Sequence, residues 1–167
     1  MTATSSAERR LHELLGADAG VSLATAESCS GGGVAARITS VAGSSAYFLG
    51  GVVAYANDAK ADVLGVPRDL LETRGAVSAE CVTAMAEGAR RLFGATLAVA
   101  TTGIAGPGGA TARKPVGLVY LALASPAGTF VEKHQFAGGR AAITEAAVER
   151  ALALLVSGAE RALDVHR

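Results

Sequence analysis

A short apolar run, residues 21–26, passes without a linker into Glu27-Ser28-Cys29-Ser30-Gly31-Gly32-Gly33, and residues 34–39 follow as a helix. A strand, a tight polar turn and a helix in immediate succession constrain the fold more than any other segment does. The strand needs a paired neighbour, and the helix must lie back over the sheet to bury its apolar face. The rest of the chain continues the alternation. Leu11, Leu14 and Leu15 share one face of a first helix that stops at Gly16. Residues 47–55 read as a buried strand in which Gly50-Gly51 marks a bulge or a close backbone approach. Asn57 is placed to cap a short helix through Leu64, which puts Lys60 in the first helical turn. Pro67 opens another helix that ends before Gly75. Ser78 caps a longer one, in which Val82, Met85, Ala86, Ala89, Leu92 and Phe93 recur at helical spacing up to Gly94.

Residues 95–101 form the next strand and enter a glycine- and proline-rich loop over 102–115, a kind of segment that in a compact domain is usually functional or disordered. Two further strands, 116–124 and 129–136, flank Ser125-Pro126-Ala127-Gly128, a hairpin signal. A terminal helix begins near Arg140 and runs to about His166. The pattern predicts a single α/β domain over residues 1–167, a layered α/β/α sandwich around a mixed sheet. Ligands of such sheets sit at the carboxyl ends of the parallel strands, where both glycine-rich turns fall.

Composition narrows the function. Lys and Arg number 15 against 15 Asp and Glu, so the net charge is zero and nothing in it favours a polyanion. Three Tyr, four Phe and no Trp leave no stacking surface for a nucleic acid, which is not expected as a partner. The 21 glycines imply a close-packed core with little aromatic filling. No apolar run approaches the roughly 18 residues of a membrane span, and residues 1–10 are polar with no signal-like segment behind them. A soluble, cytoplasmic protein without a membrane partner is the expectation. Cys29, Cys81 and three scattered histidines have no metal-ligand spacing, so no metal is expected and both cysteines read as thiols. The long apolar terminal helix predicts a homo-oligomer.

Ser28 is the first candidate for chemistry, since a strand-to-helix turn presents a side chain outward while its N–H groups converge on one spot. Those donors suit a phosphate or the oxyanion of an acyl-transfer intermediate, and the pattern alone does not choose. Cys29 is a rival nucleophile at the same helix N-terminus. A Ser-His-Asp triad would have to recruit His134 from the hairpin. Without a nearby histidine, a lysine of lowered pKa can serve as base, and Lys60 fits that role. From the residues alone, however, a solvated lysine beside Asp58 and Asp62 is the better reading. Tyr55 could offer its hydroxyl at a strand end. The Thr102, Gly103, Ala105 and Gly106 turn supplies further donors, and Arg140, entering the last helix, suits a phosphate and asks for an acidic partner.

Four ordered segments, Ala26-Glu27-Ser28-Cys29-Ser30-Gly31-Gly32, residues 50–55 with Lys60, Gly75-Ala76-Val77-Ser78, and residues 102–109 with Lys114-Pro115-Val116-Gly117, together resemble the CinA C-terminal domain family over nearly the whole chain. Members of that family hydrolyse nicotinamide mononucleotide to nicotinic acid mononucleotide and ammonia. The resemblance implies Ser28 as nucleophile, Lys60 as its base and Tyr55 as a nearby hydroxyl. It also implies Ser30, Gly31, Gly32, Thr102, Gly103, Ala105, Gly106 and Arg140 around a small nucleotide substrate, with no cofactor. The alternative is a nucleotide-binding module of the same fold without turnover. Three departures stand out: Ser30 replaces the usual threonine, residues 110–113 are altered, and Thr144 replaces an arginine common after the Gly-x-Arg turn. Many members carry a further N-terminal molybdopterin-binding-like domain that these 167 residues do not include.

Overall fold

Strand β1 (Leu23–Glu27) is buried along its whole length, which places it inside the sheet with a strand on each side. The computed structural model describes residues 5–165. Around β1 the elements run α1 (Ala7–Leu15), α2 (Gly33–Thr39), a 3-10 turn (Ser44–Ala46), β2 (Phe48–Val53), α3 (Asn57–Leu64), α4 (Arg68–Thr73), α5 (Ala79–Phe93), β3 (Leu97–Gly103), β4 (Leu118–Ser125), β5 (Gly128–Gln135) and α6 (Arg140–Asp164). The strand order is β2-β1-β3-β4-β5. β1 pairs in parallel with β2 and β3, and β3, β4 and β5 are antiparallel in turn. This is the mixed sheet that the alternation predicts.

Period-2 alternation divides the sheet into two unlike faces. Leu23, Leu97, Val99, Val119, Leu121 and Leu123 point to the side covered by α1, α2 and α6, where Leu11, Leu15, Ile38, Leu152 and Leu155 complete the core. Ala24, Ala26, Ala98, Ala100, Ala122 and Ala124 point the other way, toward Val82, Met85, Ala86 and Ala89 of α5 with Leu64 and Leu71 of α3 and α4. An alanine floor lets α5 lie close to the strands, so this half fills its volume by backbone approach rather than by aromatic bulk. Gly88 extends the same device, since a Cβ there would collide with the Leu64 carbonyl of α3. On the larger-residue face, truncating a buried leucine such as Leu152 to alanine costs about 2–5 kcal/mol.

Three local readings change. The run over 47–55 is not a buried strand: β2 is an edge strand with Leu49 and Val53 about half exposed, because it pairs only with β1. Its bulge is real, however. Leu23 pairs with Phe48 while Ala24 pairs with Gly50, leaving Leu49 as the extra residue. Gly51 beside it has no room for a side chain, because a Cβ would strike Thr25 on β1. Asn57 does not cap α3, since Ala56 holds the cap position and Asn57 is the first helical residue. Pro67 holds the cap position of α4. Ser78 does cap α5, its Oγ accepting from the Cys81 N–H at 3.1 Å. The predicted end of the last helix at His166 lies outside the described residues.

Candidate active site

Three parallel strands, β2, β1 and β3, end on the same side of the sheet, and the segments leaving them form one cavity of about 210 Å³. The turn after β1 supplies Ser28 and Cys29, the segment after β2 supplies Tyr55, Asn57 and Lys60, and the end of β3 supplies Thr102, Gly103 and Ala105. Ala76 and Val77, ahead of α5, and Arg140, at the start of α6, close the remaining sides.

The turn after β1 is held from below. Glu27 is 1% exposed, and its carboxylate accepts from the Ser30 hydroxyl at 2.7 Å, the Val34 N–H at 2.8 Å and the Ala35 N–H at 3.1 Å. It thus takes the first free donors of α2, the groups that carry the positive end of the helix dipole. The Ser30 hydroxyl also lies 2.6 Å from Thr101 Oγ, and the Ser28 N–H donates to the Thr101 carbonyl at 3.0 Å. Gly31 and Gly33 donate back to Ser28 and Ser30. Gly31 and Gly32 have φ of 60° and 96°, values a residue with a side chain rarely adopts. Among the described residues, the N–H groups of Cys29, Ser30 and Gly32 have no protein acceptor. They are the donors of this turn that remain for a ligand.

Lys60 is not a solvated lysine. It is 1% exposed, and its Nζ donates to the Tyr55 carbonyl at 3.0 Å. Asp58 and Asp62, its neighbours in sequence, pair instead with Arg68 at 2.7 and 2.5 Å. With no carboxylate in contact, burial lowers the Lys60 pKa from its ordinary value, and the neighbouring Cys81 and Cys29 oppose that only in part. Across the mouth, Arg140 donates to the Gly106 carbonyl at 2.8 Å and to the Tyr55 hydroxyl at 3.0 Å. The acidic partner its position asks for is not found among the described residues; a carbonyl and a phenol take its place.

Cys29 lines the cavity, yet burial, with a smaller contribution from Glu27, pushes its thiol up to about 11 and disfavours the thiolate. Cys81 is fully buried at the start of α5, and its thiol is likewise raised to about 11, chiefly by burial. His134 lies on β5 against Glu132 and Phe136, outside the cavity lining, so the triad reading has no geometry. Ser30, Gly31, Gly32 and Gly106 do not line the cavity; they shape or brace its walls. Asn57, Ala76 and Val77 line it without having been singled out as site residues. Glu27 and Thr101 were likewise passed over. A carboxylate ending an otherwise apolar strand is the one signal that could have drawn attention to Glu27.

Fold and site define a mixed α/β sandwich with a cavity at the carboxyl ends of its parallel strands, lined by a serine and a buried lysine. The family model of the CinA C-terminal domain matches residues 4–158, and the chain belongs to that family. A CinA-like protein of Geobacter sulfurreducens is 60% identical over 124 residues, covering 74% of this chain but 30% of the relative. The chain thus spans about a third or less of the length of the curated relatives it matches. Among solved structures, the competence/damage inducible protein of Agrobacterium tumefaciens superposes with a TM-score of 0.85 at 42% identity, covering 94% of this chain and 98% of that one. A CinA superfamily protein of Klebsiella pneumoniae gives 0.87 at 35% identity, covering 93% and 96%.

Proposed function

We propose that this domain hydrolyses the carboxamide of nicotinamide mononucleotide to nicotinic acid mononucleotide and ammonia, with Ser28 as nucleophile and Lys60 as general base. The observation that carries the reading is Lys60 itself: a buried lysine of lowered pKa, bound only to a carbonyl, in the same cavity as a serine whose turn keeps N–H donors unspent. An exposed or carboxylate-paired lysine would stay protonated and could not accept a proton.

In this scheme Ser28 Oγ attacks the carboxamide carbon as neutral Lys60 takes the hydroxyl proton. The N–H groups that this turn leaves without a protein acceptor hold the oxyanion. Collapse breaks the C–N bond and Lys60 returns its proton to the leaving nitrogen as ammonia departs; a water molecule, deprotonated by Lys60, then attacks the Ser28 ester, and as its C–O bond breaks to release the acid Lys60 gives that proton back to Ser28 Oγ. A cavity of about 210 Å³ is smaller than the roughly 300 Å³ at the low end of small-molecule sites, so it suits the pyridine ring and its amide. The ribose phosphate would run over the rim, where Thr102, Ala105, Tyr55 and Arg140 meet. Neither Thr144 nor residues 110–113 line the cavity, so these departures do not favour a module that only binds.

Ammonia release from nicotinamide mononucleotide by the purified protein tests this. Ser28→Ala should remove turnover by on the order of 10³-fold or more, while Cys29→Ala should keep most of it. Equal loss in both variants, or no ammonia from the unsubstituted protein, sinks the proposal.

A further inference from the structure

Of the two charged groups buried at the cavity, Glu27 and Lys60, the reaction scheme uses only the lysine. Glu27 sits directly before Ser28, is 1% exposed, and meets three donors with its two carboxylate oxygens. Two of those donors, the N–H groups of Val34 and Ala35, belong to the first turn of α2. The positive end of that helix therefore faces a fixed carboxylate and not the cavity. The third donor, the Ser30 hydroxyl, is joined onward to Thr101 on β3, so the turn is tied to the strand beside it as well. We propose that Glu27 is the positioning residue of the nucleophile turn: its carboxylate locks residues 28–32 so that the N–H groups this turn leaves without a protein acceptor stay free for the substrate.

Two consequences separate this role from simple structural support. The first is catalytic, and it rests on the amidohydrolase reading above. A loosened turn misplaces the oxyanion donors, which act on the transition state more than on bound substrate, so kcat falls while KM holds. The second does not depend on any activity. The charged groups acting on the Cys29 thiol are Glu27 from its own turn and Lys60 from α3. Removing the Glu27 charge leaves Lys60, which favours the thiolate.

The test uses Glu27→Gln, which keeps the size of the side chain and removes the charge, and Glu27→Asp, which keeps the charge and shortens the reach. Thiolate absorbance is titrated in a Cys81→Ser background so that only Cys29 reports. Glu27→Gln should bring the Cys29 midpoint down from its starting value, and Glu27→Asp should leave it close to unchanged. With nicotinamide mononucleotide as substrate, both variants should lose about ten-fold or more in kcat with KM within about two-fold. An unmoved Cys29 midpoint in Glu27→Gln, or kcat within two-fold of the unsubstituted protein in both variants, overturns the assignment. If Glu27→Gln does not fold, the kcat of Glu27→Asp decides by the same threshold. If the unsubstituted protein releases no ammonia, the amidohydrolase reading fails on its own and the thiol titration alone judges Glu27.

Discussion

The two glycine-rich segments that frame the cavity have similar composition and opposite construction. Residues 28–33 are bonded to themselves, to β3 and to a buried carboxylate, and Ser28, Cys29 and Ser30 are all buried. The loop over 102–117 is anchored by one side chain beside its tip, Lys114, whose Nζ donates to the Arg74 carbonyl at 2.7 Å, and otherwise at its base. There the Thr102 hydroxyl donates to the Ala76 carbonyl, the Ile104 N–H donates to the Leu118 carbonyl of β4, the Gly117 N–H donates to the Ile104 carbonyl, and Arg140 donates to the Gly106 carbonyl. Its tip, residues 107–113, is exposed. Glycine therefore serves two purposes in one site. In the first segment it permits a backbone path that other residues resist, and in the tip of the second it fills a stretch that packs against little.

That contrast can be sharpened by substitution, beginning at the buried wall that faces the first turn. Lys60→Arg should lower kcat/KM by on the order of 10²–10⁴-fold, because a guanidinium stays protonated and cannot act as base. In the unsubstituted protein kcat/KM should rise with pH and level off above the lowered pKa of Lys60, as a pH–rate profile would show. The same shift affects stability. Between the lowered folded value and the ordinary 10.5, the unfolded chain holds a proton that the folded chain has lost, so stability rises with pH across that window. Below it, charged Lys60 is a cost to the fold, and Lys60→Met should raise Tm by a few degrees, roughly 1 kcal/mol, while removing activity. A Met variant that melts lower at neutral pH would show that the buried ammonium is well accommodated.

Next in size, Gly32→Ala should destabilise by about 1–2 kcal/mol in denaturant unfolding, because φ of 96° is strained for alanine and its Cβ would press on Val53 at 3.4 Å. Gly108→Ala should differ by no more than about 0.5 kcal/mol, since a Cβ there meets nothing within 4 Å. Equal costs at the two positions would break the comparison. Smallest of all, replacing the exposed residues 110–113 with Gly and Ser should leave ammonia release within about two-fold. A larger loss would mean that the tip closes on the nucleotide and is part of the site.

Much of this architecture is written locally. Apolar runs of strand length, the glycines after α1 and α5, the Ser78 cap and the hairpin at Pro126-Ala127 fix the order of elements, because each depends on neighbours a few residues away. The candidates Ser28, Tyr55, Lys60, Thr102, Gly103 and Ala105 gather at one cavity because segments after parallel strands converge by topology, and Arg140 joins them from the start of α6. Three decisions were not legible. Residues 47–55 look buried by composition, but burial of a strand depends on how many neighbours it has, and β2 has one. Lys60 looks solvated beside Asp58 and Asp62, but Arg68, from the next helix, holds both acids and α3 turns the lysine inward. Glu27 looks like the polar end of a strand, but it becomes the anchor of the turn over 28–33 only once α2 and β3 bring donors to it and to Ser30. The sequence by itself determined the elements and the residue types at their ends, through short-range sterics and periodicity. Only the tertiary structure decided which of those ends are buried, charged or free to bind, because desolvation and pairing depend on contacts between residues far apart in the chain.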